Sequence, residues 1–222
     1  MQKFDTTTPV TAILTIPAGR VRIVAADRAA LSVDVQPADA TKSRDVRAAE
    51  QTTVVYGDGV LRVEAPAKNQ YFTSPGSLDV TVELPSGSRI EGKAGAAELR
   101  AVGPLGDVAF DGAHGTVELD ETASLRLTVH AGDVSVGRLA GDSEITVAKG
   151  DIRIAEAVHG KVTLRTEAGT IAVGAARGAS ATLDAGTTYG RIDNALSNTV
   201  GPAAELSIHA TTSYGDITAR SL

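Results

Sequence analysis

Apolar and polar residues alternate along most of this chain, and the alternation restarts at glycine. Four copies stand in series: Gly115-Thr116-Val117-Glu118-Leu119, Gly132-Asp133-Val134-Ser135-Val136, Gly150-Asp151-Ile152-Arg153-Ile154 and Gly169-Thr170-Ile171-Ala172-Val173. Gly190-Arg191-Ile192-Asp193 and Gly215-Asp216-Ile217-Thr218 follow, so the glycines are separated by 17, 18, 19, 21 and 25 residues. A period of two is the signature of a half-buried strand. Each repeat holds a second run of the same kind: Leu125–Val129, Ile145–Val147, Val162–Leu164, Ala181–Leu183 and Leu206–Ile208. No segment carries a clear apolar stripe at helical spacing.

A repeat this short cannot bury its own apolar face, but stacking on its neighbours at about 4.8 Å buries it. The prediction is an all-β protein, a β-solenoid with coils of about 17–25 residues over 91–222. Inward positions are Val134, Val136, Ile152, Ile154, Ile171, Val173, Ile192 and Ile217. Gly115, Gly132, Gly150, Gly169, Gly190 and Gly215 open the turns, and Asp133, Asp151 and Asp216 are read as acceptors for turn amides. Upstream, Ala12–Ile16, Arg20–Val24, Leu31–Gln36, Thr52–Tyr56, Val60–Glu64 and Leu78–Leu84 alternate as longer strands. Residues 1–90 are therefore expected to form a β-rich capping layer continuous with the solenoid. Pro37–Ala49 is read as polar loop with room for a short helical turn, and Pro66–Ser77 as a longer loop exposing Tyr71 and Phe72.

Composition adds exclusions. A chain of 222 residues with 3% aromatics and no Trp builds its core from aliphatic strands. A net charge of −6 argues against nucleic acid or an anionic membrane as partner, and the absence of Cys removes disulfides and thiolate chemistry. The start Met1–Pro9 is polar, and no run approaches the ~20 apolar residues of a membrane-spanning helix. The expectation is a cytoplasmic protein without membrane insertion.

Leu14-Thr15-Ile16-Pro17-Ala18-Gly19, Val80-Thr81-Val82-Glu83-Leu84-Pro85-Ser86-Gly87, the serial Gly-Asp-Val/Ile coils, and the late Thr188-Tyr189-Gly190-Arg191-Ile192-Asp193-Asn194 and Thr212-Ser213-Tyr214-Gly215-Asp216-Ile217 carry a resemblance. With them the sequence resembles a bacterial putative-adhesin family of β-strand-repeat proteins of unknown function. The resemblance covers nearly the whole chain and implies a β-solenoid without established catalytic residues.

Candidate chemistry is sparse. His114, His130, His159 and His209 have no metal-ligand spacing, although His130 and His209 are read into one repeat column. No nucleophile elbow or phosphate loop is present, and no cofactor or metal is expected. Glu118, Asp120 and Glu121 cluster as a carbohydrate-cleaving site would, but without aromatic platforms. Tyr189 and Tyr214 precede the turn glycines of successive coils and are expected to stack. Asp216–Thr218 is followed directly by Ala219–Leu222, which predicts an uncapped solenoid end there. Tyr189, Tyr214, Ile217 and Leu222 are thus the candidate interaction residues. The expected function is a non-enzymatic interaction scaffold that docks a protein partner or forms a homodimer through that end. The alternatives are an exported, adhesin-like module and a β-helical polysaccharide-acting enzyme.

Overall fold

The computed structural model describes residues 1–66 and 76–222, so Tyr71 and Phe72 lie outside the described residues. The chain divides into two compact units, Met1–Thr116 and Val117–Leu222.

The first unit contains β1 (Gln2–Asp5), β2 (Thr11–Ala26), β3 (Ala30–Pro37), α1 (Ser43–Gln51), β4 (Thr53–Gly57), β5 (Val60–Glu64), β6 (Leu78–Pro85) and β7 (Arg89–His114). The long strand β2 is its axis. Along one edge it runs parallel to β7, from Thr11↔Arg89 to Val24↔Val102. Along the other it pairs with β5 up to Thr15↔Glu64 and with β6 from Gly19↔Leu78. Pro17, which has no N–H to give a ladder, stands where the partner changes. Ala12, Leu14, Ile16, Val21 and Ile23 alternate into the core, where Leu61, Val63, Val80, Val82, Ile90 and Leu99 meet them. Antiparallel strands then close the margin: β3 on β6, β1 on β3 and β4 on β5.

The helix α1 is longer than the short helical turn allowed for within Pro37–Ala49, and runs past that segment to Gln51. Its buried residue is Asp45, whose carboxylate accepts the Ser77 N–H at 3.0 Å. A helix whose buried contact is a carboxylate shows no apolar stripe.

The second unit contains β8 (Val117–Ala131), β9 (Val134–Leu139), β10 (Ser143–Lys149), β11 (Ile152–Ala157), β12 (Gly160–Ala168), β13 (Ile171–Ala175), β14 (Ala181–Tyr189), β15 (Ile192–Ala195), β16 (Leu206–Tyr214) and β17 (Ile217–Ser221). All its strand pairs are parallel and form two ladders. One aligns Val117, Val134, Ile152, Ile171, Ile217 and Ile192 in a single column. The other aligns Leu127, Ile145, Leu164, Ala210 and Ala185. In-register parallel pairing places like residues above one another, so the period-two alternation of each strand becomes continuous apolar columns.

The order of these rungs departs from the order of the chain. β16 pairs with β12 on one side and β14 on the other, and β17 lies between β13 and β15. The last rung in sequence is therefore enclosed, and β14/β15 is the outermost. No strand among the described residues pairs with its outer edge. The end predicted at Asp216–Leu222 is thus displaced by one rung.

Candidate functional site: the outer rung and its turns

Turn chemistry comes first, because it positions the tyrosines. Gly150 has φ +146°, and a Cβ there would meet the carbonyl oxygen of Gly132 in the rung beside it. Gly169 repeats this contact against Gly150, Gly215 against Gly169 and Gly190 against Gly215, so the glycine column runs 132–150–169–215–190. Only glycine permits both the backbone angle and the close approach. Gly190 itself has no positive φ.

The turn aspartates tie rung to rung. Asp133 Oδ1 accepts the Asp151 N–H at 2.9 Å, Asp151 Oδ1 the Thr170 N–H at 2.8 Å, and Asp216 Oδ1 the Arg191 N–H at 2.8 Å. These backbone donors hold the Asp151 and Asp216 carboxyls below the usual carboxylate range. A threonine ladder, unread in the sequence, runs beneath. Thr166 Oγ1 donates to the Gly150 carbonyl at 3.1 Å, Thr212 Oγ1 to Gly169 at 3.1 Å and Thr187 Oγ1 to Gly215 at 3.0 Å. Its sequence signal is a Thr three residues before the turn glycine in Thr187-Thr188-Tyr189-Gly190 and Thr212-Ser213-Tyr214-Gly215.

On these turns Tyr189 and Tyr214 stack, with ring centroids 5.0 Å apart and planes within 7°. They are 65% and 61% exposed, and Ile192, just past the turn on the outer rung, is 45% exposed. The candidates Ile217 and Leu222 do not join them. Ile217 is 1% exposed because Ile171 and Ile192 cover it from both sides. Leu222 lies at the far end of β17, where its N–H donates to the Ala175 carbonyl at 3.0 Å. Ile192, expected inward like its equivalents, sits at an inward position with no strand over it among the described residues. Asn194 marked this rung in the sequence. It occupies the position that is Val136, Ile154, Val173 and Ala219 elsewhere, and an inner rung would have to bury its amide.

The outer edge is partly covered. Ser197 accepts the Ala181 N–H at 3.1 Å, and Ser180 Oγ bonds Asn198 Oδ1 and the Thr199 N–H, both at 3.1 Å. This anchors the start of β14 and leaves Tyr189–Ala195 open to solvent.

Other candidates are dispersed. His209 aligns with Thr163, Glu144 and Arg126, not with His130, and faces Asp184 at 3.0 Å. Among the described residues no three His, Cys, Asp or Glu side chains gather as metal ligands. Glu118 and Asp120 line a groove of about 630 Å³ with Arg153, Arg220 and a floor that includes Gly137, Ala155 and Gly174. Glu121 pairs instead with Arg138, at 3.5 Å. The groove mixes both charge signs and has no aromatic ring among its lining residues. Among the described residues no helix is long and apolar enough to cross a membrane.

Two ladders of parallel β-rungs, ordered by glycine turns, define an all-β scaffold of strand repeats. The chain belongs to the Toastrack family, DUF4097, which matches residues 10–220. It is similar in fold to a putative adhesin from Parabacteroides distasonis (12% identity, covering 98% of this chain and 95% of that one, TM-score 0.49). It is similar also to a putative adhesin from Bacteroides fragilis (9% identity, 98% and 95% covered, TM-score 0.47). A third similar structure is a putative lipid binding protein from Parabacteroides distasonis (12% identity, 98% and 95% covered, TM-score 0.47). No curated protein matches the sequence.

Proposed function

We propose that this chain is a non-enzymatic binding scaffold, a β-solenoid that docks protein through its outer rung, and that the occupant is a second copy of the chain. The observation that carries the reading is the unpaired edge of β14/β15, where Tyr189, Tyr214 and Ile192 are exposed. An edge of free backbone donors and acceptors beside apolar side chains favours strand addition. A second copy is favoured because the partner this rung already has is a near-duplicate of itself. Leu183, Ala185, Thr187 and Tyr189 stand opposite Ile208, Ala210, Thr212 and Tyr214. Charge supports it as well, since exposed Arg191 can meet Asp184 or Asp193 of the same rung in a facing copy.

Sedimentation of the wild type and of an Ile192→Lys, Tyr189→Arg variant tests this. A dimer at high micromolar concentration is expected, which the variant converts to monomer with its β circular dichroism retained. A wild type that stays monomeric overturns self-docking. An unchanged dimer in the variant places the interface elsewhere, and a monomer that takes up a different protein at this edge names another occupant.

A further inference from the structure

The enclosed rung, an observation separate from the exposed edge, has its own consequence. Chain order is β12/β13, β14/β15, β16/β17, whereas the stack runs β12/β13, β16/β17, β14/β15. Residues 206–221 therefore fill the slot between β12/β13 and β14/β15, and among the described residues they form the one rung that pairs with β14/β15. Leu206, Ile208, Ala210, Ile217 and Ala219 of the inserted rung are buried. Outside a slot these apolar side chains face water, so the rung is stable only when inserted. Nothing in the slot's chemistry requires that the inserted rung belong to the same chain. The register from Gly160↔Leu206 to Ala168↔Tyr214 and from Ala181↔Leu206 to Tyr189↔Tyr214 is met equally by a second copy. So are the Asp216–Arg191 bond, the Tyr189–Tyr214 stack and the glycine column.

The connection permits it. Residues 196–205 contain no strand and turn back through the short helical turn Gly201–Ala203, held by Asn198 bonds to Gly201. Extended at roughly 3.3 Å per residue, these ten residues reach about 33 Å, enough to carry a rung into a neighbouring molecule. We propose that the space between β12/β13 and β14/β15 is a strand-insertion site, and that two copies of this chain exchange residues 206–221 reciprocally to form a dimer. Exchange of an identical element creates a dimer without new contacts. Such a dimer forms and separates by withdrawing a rung, whereas a dimer held through the outer edge exchanges by simple dissociation.

The chain has no Cys, so an introduced pair reports the topology. Lys161 and Ser207 are exposed register partners across β12 and β16. The Lys161→Cys, Ser207→Cys chain is refolded at high concentration, separated by size, treated with a short bismaleimide and run on a denaturing gel. The monomer fraction is expected to give a link within one chain, and the dimer fraction a covalent dimer. A second chain, carrying the same pair and lacking residues 196–205, joins Ala195 directly to Leu206, whereas β11 and β12, the most tightly connected of the other coils, are joined through Val158 and His159. It cannot fold its last rung back and is expected to raise the dimer fraction at least tenfold. A dimer whose links all lie within single chains overturns the exchange and supports docking through the outer edge instead. Absence of dimer from both chains also overturns it.

Discussion

Ile217 and Ile192 hold the same place in nearly the same motif, Tyr-Gly-Asp-Ile and Tyr-Gly-Arg-Ile, and stand opposite each other in one ladder. One is buried between rungs and the other is half open to water. A residue in a stacked rung owes its burial to both neighbours, so an identical local sequence gives a core residue inside the stack and a surface residue at its edge. The first unit manages its margin differently. Its edge strands β1 and β4 are short and antiparallel to their partners, and the rings of Phe4 and Tyr56 approach to 5.2 Å beside them. Short, turned-back edges resist strand addition, whereas the parallel outer rung of the second unit invites it.

The sharpest break between inner and outer rungs is a charge placed in equivalent positions. Ile152→Asp should cost about 4 kcal/mol or more, because it buries an unpaired carboxylate between two rungs. Ile192→Asp should cost under about 1 kcal/mol, because water reaches the site. Equal losses in denaturant unfolding would contradict the rung order. Glycine offers the next test. Gly150→Ala combines a positive φ with a backbone overlap and should cost more than about 2 kcal/mol. Gly186→Ala, on the outer rung with nothing within 4 Å, should stabilise by about 0.5 kcal/mol through the unfolded chain.

A smaller effect lies in acid. The folded Asp151 and Asp216 carboxyls are held below their unfolded values by the N–H groups of Thr170 and Arg191. Stability from each is complete above the unfolded pKa, near 4, and is lost as pH falls through the lower folded value. Melting curves across that window should flatten in Asp151→Asn and in Asp216→Asn, the second reporting the bond between inner and outer rungs. An unchanged acid slope would place the pH dependence on other carboxylates. The smallest change is Tyr189→Ala. It removes one solvent-exposed stacking pair and should cost no more than about 1 kcal/mol in the monomer, so any larger loss would show that the ring is covered.

The strands, their inward faces and their turns were legible because each is a local property. Val134, Val136, Ile152, Ile154, Ile171, Val173 and Ile217 alternate with polar neighbours and are buried. The stacking of Tyr189 on Tyr214 was legible for the same reason, since like positions in matching motifs share a column. Two features were not, and a third was misread. The helix α1 lacks an apolar face, its buried residue being Asp45. His130 and His209 fall in different columns because the ladder keeps a constant offset from the turn glycine, and His130 stands two residues before Gly132 whereas His209 stands six before Gly215. Glu118 and Asp120 come to line one groove with Arg153 and Arg220 only where several rungs are stacked.

What the sequence determined by itself was a set of parallel strand repeats, with the side of each residue and the glycine and aspartate turns between them. These follow from the two-residue period of a strand and from backbone angles open only to glycine. What only the tertiary structure decided was which rung lies inside and which is left at the edge. β14/β15 and β16/β17 present nearly interchangeable patterns to any neighbour, so pairing alone does not rank them. The choice rests on total burial. The rung with Ile217 and Ala219 gains from neighbours on both sides, and the rung with Ile192 and Asn194 would have to desolvate an amide.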